Sequence, residues 1–365
     1  MLLFKKELNC INPLNIVFLC GNKYSPEAGY DKRNILKKYL LDSNISCQPI
    51  ILEENFIFAK NSKKYLAYED IFLNNLSQVE KMASLYADKI FIIHETLSTA
   101  AEIGMFAGDE SLRSKICILY PDDISIEEKK MSSFIKLAFF NDNDKREDQP
   151  KKIKFYPDVE VYRHSLNRSE YHTFFYENRI GDILGRQILS FVNKTNRQIV
   201  KIQKARYHKP SSERNILSYV VDKENGKIKA YLYSDALKIQ LLSLFTVDKY
   251  KSEFRKEKKI KDHVKYINEL YENILLNSIC DLEGIDTDCF RIKVDLLDVC
   301  GCNLRQAIGS FLYMLQAIEF ITLEQVSTED YVNRKIIIKQ AMEKNNPQFK
   351  KYIYEKTATE FGGII

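Results

Sequence analysis

Apolar runs and helical stripes alternate along the first 120 residues. The runs NIVFLC (15–20), PIIL (49–52), KIFII (89–93) and KICILY (115–120) are continuous, the pattern of strands buried on both faces of a parallel sheet. After the first run, Ile35, Leu36, Tyr39 and Leu40 share one helical face, with Asp31 placed as an N-cap. Before the third, Phe72, Leu76, Val79, Met82 and Tyr86 fall at helical spacing. This order predicts βαβ units and a Rossmann-like α/β domain.

Beyond Pro121 the pattern predicts a helix over 125–139, a surface loop over the polar stretch 141–152 and a strand within 153–163. Ile180, Ile183, Leu184, Ile188, Phe191 and Val192 then form a strongly amphipathic helix that could cap the sheet. The boundaries that follow are an α/β domain at 1–193, a basic linker at 194–214 and a mainly helical domain at 215–365. Near the end come an apolar segment at 294–299, a break at Gly301, a helix over about 304–315, and two β-rich runs at 320–323 and 332–338. That order suggests a winged helix at about 292–340. A helical packing domain with a small hairpin fits the same pattern, since only Arg305 and Gln306 could read base edges on the central helix.

Composition narrows the class rather than the function. The chain has 365 residues, 45% hydrophobic and 29% charged, which is enough for two cores and argues against wholesale disorder. No apolar run reaches the roughly 18–20 residues of a membrane span, and Lys5, Lys6 and Glu7 interrupt the start before a signal-peptide core could form, so a cytoplasmic protein without membrane contact is expected. The cysteines include several inside apolar runs, as reduced core thiols do, and the spacing of Cys280, Cys289, Cys300 and Cys302 matches no short zinc-ligand pattern. No metal and no bound cofactor are expected.

The net charge of +5 is locally concentrated. Residues 194–214 carry seven Lys/Arg and one Glu, and residues 249–265 carry eight Lys/Arg against three Asp/Glu. Such clusters are either solvated surface or phosphate contacts to a nucleic acid. Tyr207 and His208, interleaved in the first cluster, suit RNA or single strands.

Ligands of open α/β sheets bind outside the carboxyl ends of the strands, so the candidate chemistry lies there. After the first strand, Gly21 would let backbone approach a ligand and Asn22 could hydrogen-bond it, although no GxGxxG or GxxxxGK[ST] is present. After the third strand comes HETLSTAAEIG (94–104), where Ser98 and Thr99 could cap a helix whose N-terminus favours an anion. Glu102 has two readings. Thr99-x-x-Glu102 fits a capping box, in which the carboxylate folds back on the N-cap amide. Placed among small residues in the first turn, the same carboxylate could attack an anomeric carbon or stabilise an oxocarbenium-like transition state.

The run IVFLCG (16–21), the helix bearing Arg33, the stretch LAYED (66–70) and Ser98-x-x-x-Glu102-Ile103-Gly104-x-Phe106 resemble, in that order, the nucleoside 2-deoxyribosyltransferase-like (N-glycosidase) superfamily. More narrowly, the chain resembles the effector proteins encoded beside retron reverse transcriptases. The resemblance implies that Glu102 is the catalytic carboxylate, that Glu69 lies near the ribose, and that Gly21, Asn22, Arg33, Ser98 and Thr99 fall on pocket positions. It further implies an N-glycosidase that cleaves a nucleotide, NAD preferred as substrate, as the toxin of an anti-phage system. Such a toxin is held inactive by the reverse transcriptase and its RNA–DNA product, with a homo-oligomer or higher assembly expected. Asn22 stands where a second glycine is usual in that group, and Leu97 and Ser98 where a glycine-containing turn is common. A regulator that senses a nucleotide without turnover and binds DNA through the winged helix is the alternative.

Overall fold

The computed structural model describes residues 4, 6–11, 15–21, 31–43, 47–55, 66–68, 71–73, 76–122, 153–157, 179–193, 197–246, 253, 258–298, 303–318, 322–323 and 335–337. The chain divides into two compact units: a sheet unit, Asn15–Lys60 with Ala87–Thr195, and a second unit, Met1–Leu14 with Asn61–Tyr86 and Asn196–Ile365. An N-terminal Rossmann-like parallel-sheet domain is thus followed by a C-terminal region that is mostly helical by length.

Five parallel strands build the sheet unit: Asn15–Cys20, Cys47–Ile51, Lys89–Ile93, Ile116–Asp122 and Ile153–Pro157. In the sheet they lie second, first, third, fourth, fifth. The reversal of winding falls between the first and third strands, and there a doubly wound sheet opens its ligand crevice. Every residue of Asn15–Cys20 and Lys89–Ile93 is buried, which is why these runs lack alternation. One face of the sheet, with Val17, Leu19, Phe91, Ile93, Cys117 and Leu119, packs in a single core against the helices Lys32–Asp42 and Asp182–Asn193. On the other, Phe18 meets Phe106 of the helix Leu97–Ala107 edge-on, with ring centroids 6.4 Å apart. The expected helix at 125–139 and loop at 141–152 lie outside the described residues.

The second unit corrects four expectations. The basic segment 194–214 is not a linker: Arg197–Lys204 is a strand, paired antiparallel with Glu7–Ile11 and parallel with Ile216–Asp222. Val200 and Ile202 are buried within it, so two β-periodic apolar positions outweigh the charge around them. Phe72 does not join the helical stripe; it sits in the strand Ile71–Leu73, paired with Leu66–Tyr68, and the helix begins at Leu76. The apolar segment expected from 294 to open a winged helix belongs to the strand Arg291–Leu296. It joins Lys227–Leu232 in parallel and completes a five-stranded mixed sheet. The α/β domain therefore does not run unbroken over 1–193, because 1–14 and 61–86 pack in the second unit.

Four described helices give this unit its helical character: Leu76–Tyr86, Ser234–Thr246, Ile260–Glu283 and Leu304–Ala317, of 11, 13, 24 and 14 residues. Asn303 caps the last through a capping box with Gln306. The runs at 320–323 and 332–338 do pair, as Thr322–Leu323 with Lys335–Ile337, and Lys258–Lys259 adds a third strand. No described helix is long and apolar enough to cross a membrane.

Candidate active site at the carboxyl edge of the parallel sheet

The first strand ends at Gly21, where a Cβ would lie 2.9 Å from Arg33 Cδ and 3.0 Å from Arg33 Cγ. Glycine is needed here because the Arg33 side chain occupies that space. Asp31 caps the following helix by accepting from the Arg33 amide at 2.9 Å and also holds the guanidinium, accepting from Nη2 at 3.1 Å. Arg33 Nη1 donates to both oxygens of Glu53, each at 3.1 Å. Burial opposes the guanidinium charge, but Asp31 and Glu53 together outweigh it and raise the pKa above the ordinary arginine value. With 3% of its side chain exposed, Arg33 is a buried clamp joining the ends of the first and second strands rather than a surface residue.

The third strand leads into His94, Glu95 and Thr96. Lys32 pairs with Glu95, so the helix after the first strand is tied to the loop after the third, across the point where the sheet reverses. Lys37 Nζ donates to Glu54 at 2.6 Å. His94 stacks at a tilt on Tyr120, with ring centroids 5.2 Å apart, and its Nδ1 lies 3.1 Å from Thr99 Oγ1. Burial lowers the imidazole pKa, with Glu95 pulling weakly the other way.

The helix Leu97–Ala107 starts earlier than the sequence suggests. Thr96, at φ −140° and ψ 168°, is the N-cap, and it forms a capping box with Thr99. Thr99 Oγ1 accepts from the Thr96 amide at 3.1 Å and donates to the Thr96 carbonyl at 2.7 Å. The capping box expected from Thr99 and Glu102 is therefore not formed, and Ser98 and Thr99 are not N-caps. Both hydroxyl residues lie in the first turn, Ser98 exposed and Thr99 fully buried, while Glu102 falls in the second. Glu102 is half-buried beside the stripe of Thr99, Ile103 and Phe106 that packs on the sheet, and its Oε2 is shielded from solvent. Leu97, nine-tenths exposed, adds apolar surface at the start of the same helix.

Of the residues expected at the site, the structure brings Gly21 and Arg33 into contact and sets Ser98, Thr99 and Glu102 on one helix. Asn22 and Glu69 lie outside the described residues. Lys32, Glu53, His94, Glu95 and Thr96 were not anticipated. Their signal was available, because each follows directly on a strand end or a cap, but none belongs to a recognisable motif. Among the described residues no group of acidic, histidine or cysteine side chains could hold a metal ion.

The edge thus carries a buried, doubly paired guanidinium and a helix N-terminus beside the point where the strand order reverses. Comparison with known sequences gives no match to a curated protein. A family model described as the STM3845 retron effector protein matches residues 29–323, which span the helix of Arg33, the helix of Glu102 and most of the second unit. The chain belongs to the STM3845 family of retron effector proteins.

Proposed function

We propose that the chain is the toxin of a retron anti-phage system and an enzyme that cleaves the N-glycosidic bond of a nucleotide, NAD by preference. The observation that carries this reading is the position of Glu102. Thr96 and Thr99 form the capping box, so that role does not fall to Glu102, and its helix follows the third strand of a 2-1-3-4-5 sheet, a topology whose ligands bind outside the carboxyl ends of the strands. A carboxylate there stabilises or traps the ribosyl cation as the C1′–N bond breaks. Nicotinamide leaves neutral with the bonding electrons, and water delivers hydroxide to C1′ and a proton to solvent. The helix N-terminus, where Ser98 is exposed, meets phosphate through its backbone amides. Gly21 and Arg33 serve by shaping the crevice, and Asn22 by a direct hydrogen bond.

Such an activity must be restrained in the cytoplasm. The reverse transcriptase and its RNA–DNA product do this by binding the second unit through the basic segments 194–214 and 249–265, in a homo-oligomer or higher assembly. The test is nicotinamide release from NAD by the purified chain, together with growth arrest on expression. Glu102→Gln abolishes both; equal turnover by wild type and variant rules the mechanism out. Failure to co-purify with the ribonucleoprotein removes the partner claim.

A second reading has its own support. The strand order Lys258–Lys259, Lys335–Ile337, Thr322–Leu323, with the helix Leu304–Ala317 ahead of the hairpin, suits a winged helix. Specific binding of duplex DNA with no base released from a panel of nucleotides favours a nucleotide-sensing regulator.

A further inference from the structure

One face of the five-stranded mixed sheet is buried, and the other is open and basic around Lys227 and Lys229. In Lys227–Leu232, Ile228, Ala230 and Leu232 are buried whereas Lys227 and Lys229 are exposed. The register sets Lys229 beside Val220 on one neighbour and Lys293 on the other, and Lys227 beside Asp222 and Arg291. A shallow groove of about 710 Å³ runs over this face, lined by Lys204, His208, Lys223, Lys227, Lys229 and Tyr231 together with Val220, Val221, Asp222 and Glu224. The lining carries four lysines against two carboxylates, Asp222 and Glu224; Glu283 takes up Lys204 at 2.7 Å, which leaves a small positive excess carried by Lys223, Lys227 and Lys229.

Beside the groove stands a two-residue hairpin turn, Arg206 to Lys209, closed by the Lys209 amide donating to the Arg206 carbonyl at 2.9 Å. Its central residues, Tyr207 and His208, have φ of 52° and 58°. That is a type I′ turn, whose central positions are favoured for Asn and Gly because a Cβ clashes in the left-handed region. A tyrosine there is strained, and no packing offsets the strain, since Tyr207 is 93% exposed. Backbone strain spent on displaying an aromatic ring next to lysines has a natural counterpart: a polyanion that carries flat, unpaired rings.

We infer that this face binds a single-stranded segment of nucleic acid, with its phosphates along Lys223, Lys227 and Lys229 and a base stacked on Tyr207. A duplex keeps its bases stacked inside and offers Tyr207 nothing to cover. The inference rests on the partner reading above only for which strand is met in the cell; the binding itself is read from this face, independently of Glu102.

The experiment uses the full chain and a fluorescent oligothymidylate of about 12 nucleotides, read by anisotropy at several salt concentrations. Wild type binds, more weakly as salt rises. Lys227→Glu with Lys229→Glu weakens binding ~10-fold or more and makes the salt slope shallower by about 1.4, two phosphate contacts on a single strand. Tyr207→Asn with His208→Gly supplies the residues the turn favours, so it raises the unfolding temperature while weakening binding ~5-fold or more. A purely structural turn would gain stability and bind unchanged, which overturns the inference, as does a duplex of equal length bound as tightly as the single strand. Co-purification with the reverse transcriptase ribonucleoprotein, measured for the same variants, separates the two claims. Retained ribonucleoprotein without oligonucleotide binding removes the strand face alone, and the reverse removes the partner reading alone.

Discussion

Replacing Thr99 with valine keeps the shape of a fully buried side chain and removes its hydroxyl. That hydroxyl accepts from the Thr96 amide at 3.1 Å and the Glu95 amide at 3.3 Å and donates to the Thr96 carbonyl at 2.7 Å. A typical hydrogen bond contributes about 0.5–1.5 kcal/mol net, so the bonds to the Thr96 amide and carbonyl together give a loss of about 2 kcal/mol; the 3.3 Å bond from the Glu95 amide adds little, and His94 Nδ1, 3.1 Å from the same oxygen, loses its contact as well. Thr96→Ala removes only the reciprocal bond, in which Thr96 Oγ1 accepts from the Thr99 amide at 3.4 Å, and costs under about 1 kcal/mol. The ordinary ranking, in which the N-cap side chain matters more than its partner three residues on, is thus inverted. Because the chain folds as two units, the assay is amide hydrogen exchange over residues 94–99 rather than a global midpoint. Thr99→Val lowers protection of the Glu95 and Thr96 amides about 30-fold, the equivalent of 2 kcal/mol. Protection that falls less than in Thr96→Ala would refute the account of this helix start, and with it the placement of Glu102 in the second turn.

Two further outcomes follow from the same kind of bookkeeping. Asp298, 2% exposed, accepts from Arg214 Nη2 at 2.7 Å, from Ser234 Oγ at 2.6 Å and from the Ser234 amide at 3.0 Å. Asp298→Ala leaves Arg214 half-paired in a partly buried place and removes three hydrogen bonds, which costs on the order of 2 kcal/mol, read as a lower urea midpoint for the second unit; a shift worth under about 1 kcal/mol contradicts it. His94 titrates below the ordinary 6.5 when folded, so between that lower value and 6.5 the unfolded chain binds more protons than the folded one. Stability of the sheet unit therefore falls as pH drops through 6.5 and levels off below the folded value. His94→Asn flattens that part of a melting-temperature profile, and an unchanged slope would assign it to other groups.

The parallel sheet was legible because burial on both faces leaves uninterrupted apolar runs, and the helix Asp182–Asn193 because only one of its faces is apolar. What misled was charge density and distance along the chain. In Arg197–Lys204 the alternation of Val200 and Ile202 with Lys201 and Gln203 is present, yet the surrounding lysines and arginines read as a solvated linker until partners at Glu7–Ile11 and Ile216–Asp222 are known. The pairing of Arg33 was not legible for a related reason: its partner Glu53 is 20 residues away and comes into reach only when adjacent parallel strands end together. The candidate site turned on a smaller ambiguity. Thr96, Ser98 and Thr99 all carry hydroxyls suited to an N-cap, and spacing does not choose among them. The backbone chooses, by holding Thr96 extended and turning helical at Leu97. A start three residues later would have made Glu102 a capping residue and its carboxylate a local structural device. A start at Leu97 makes Thr99 the capping-box partner and carries Glu102 past the first turn, where the helix dipole has largely faded, so capping does not fix the role of this half-buried carboxylate.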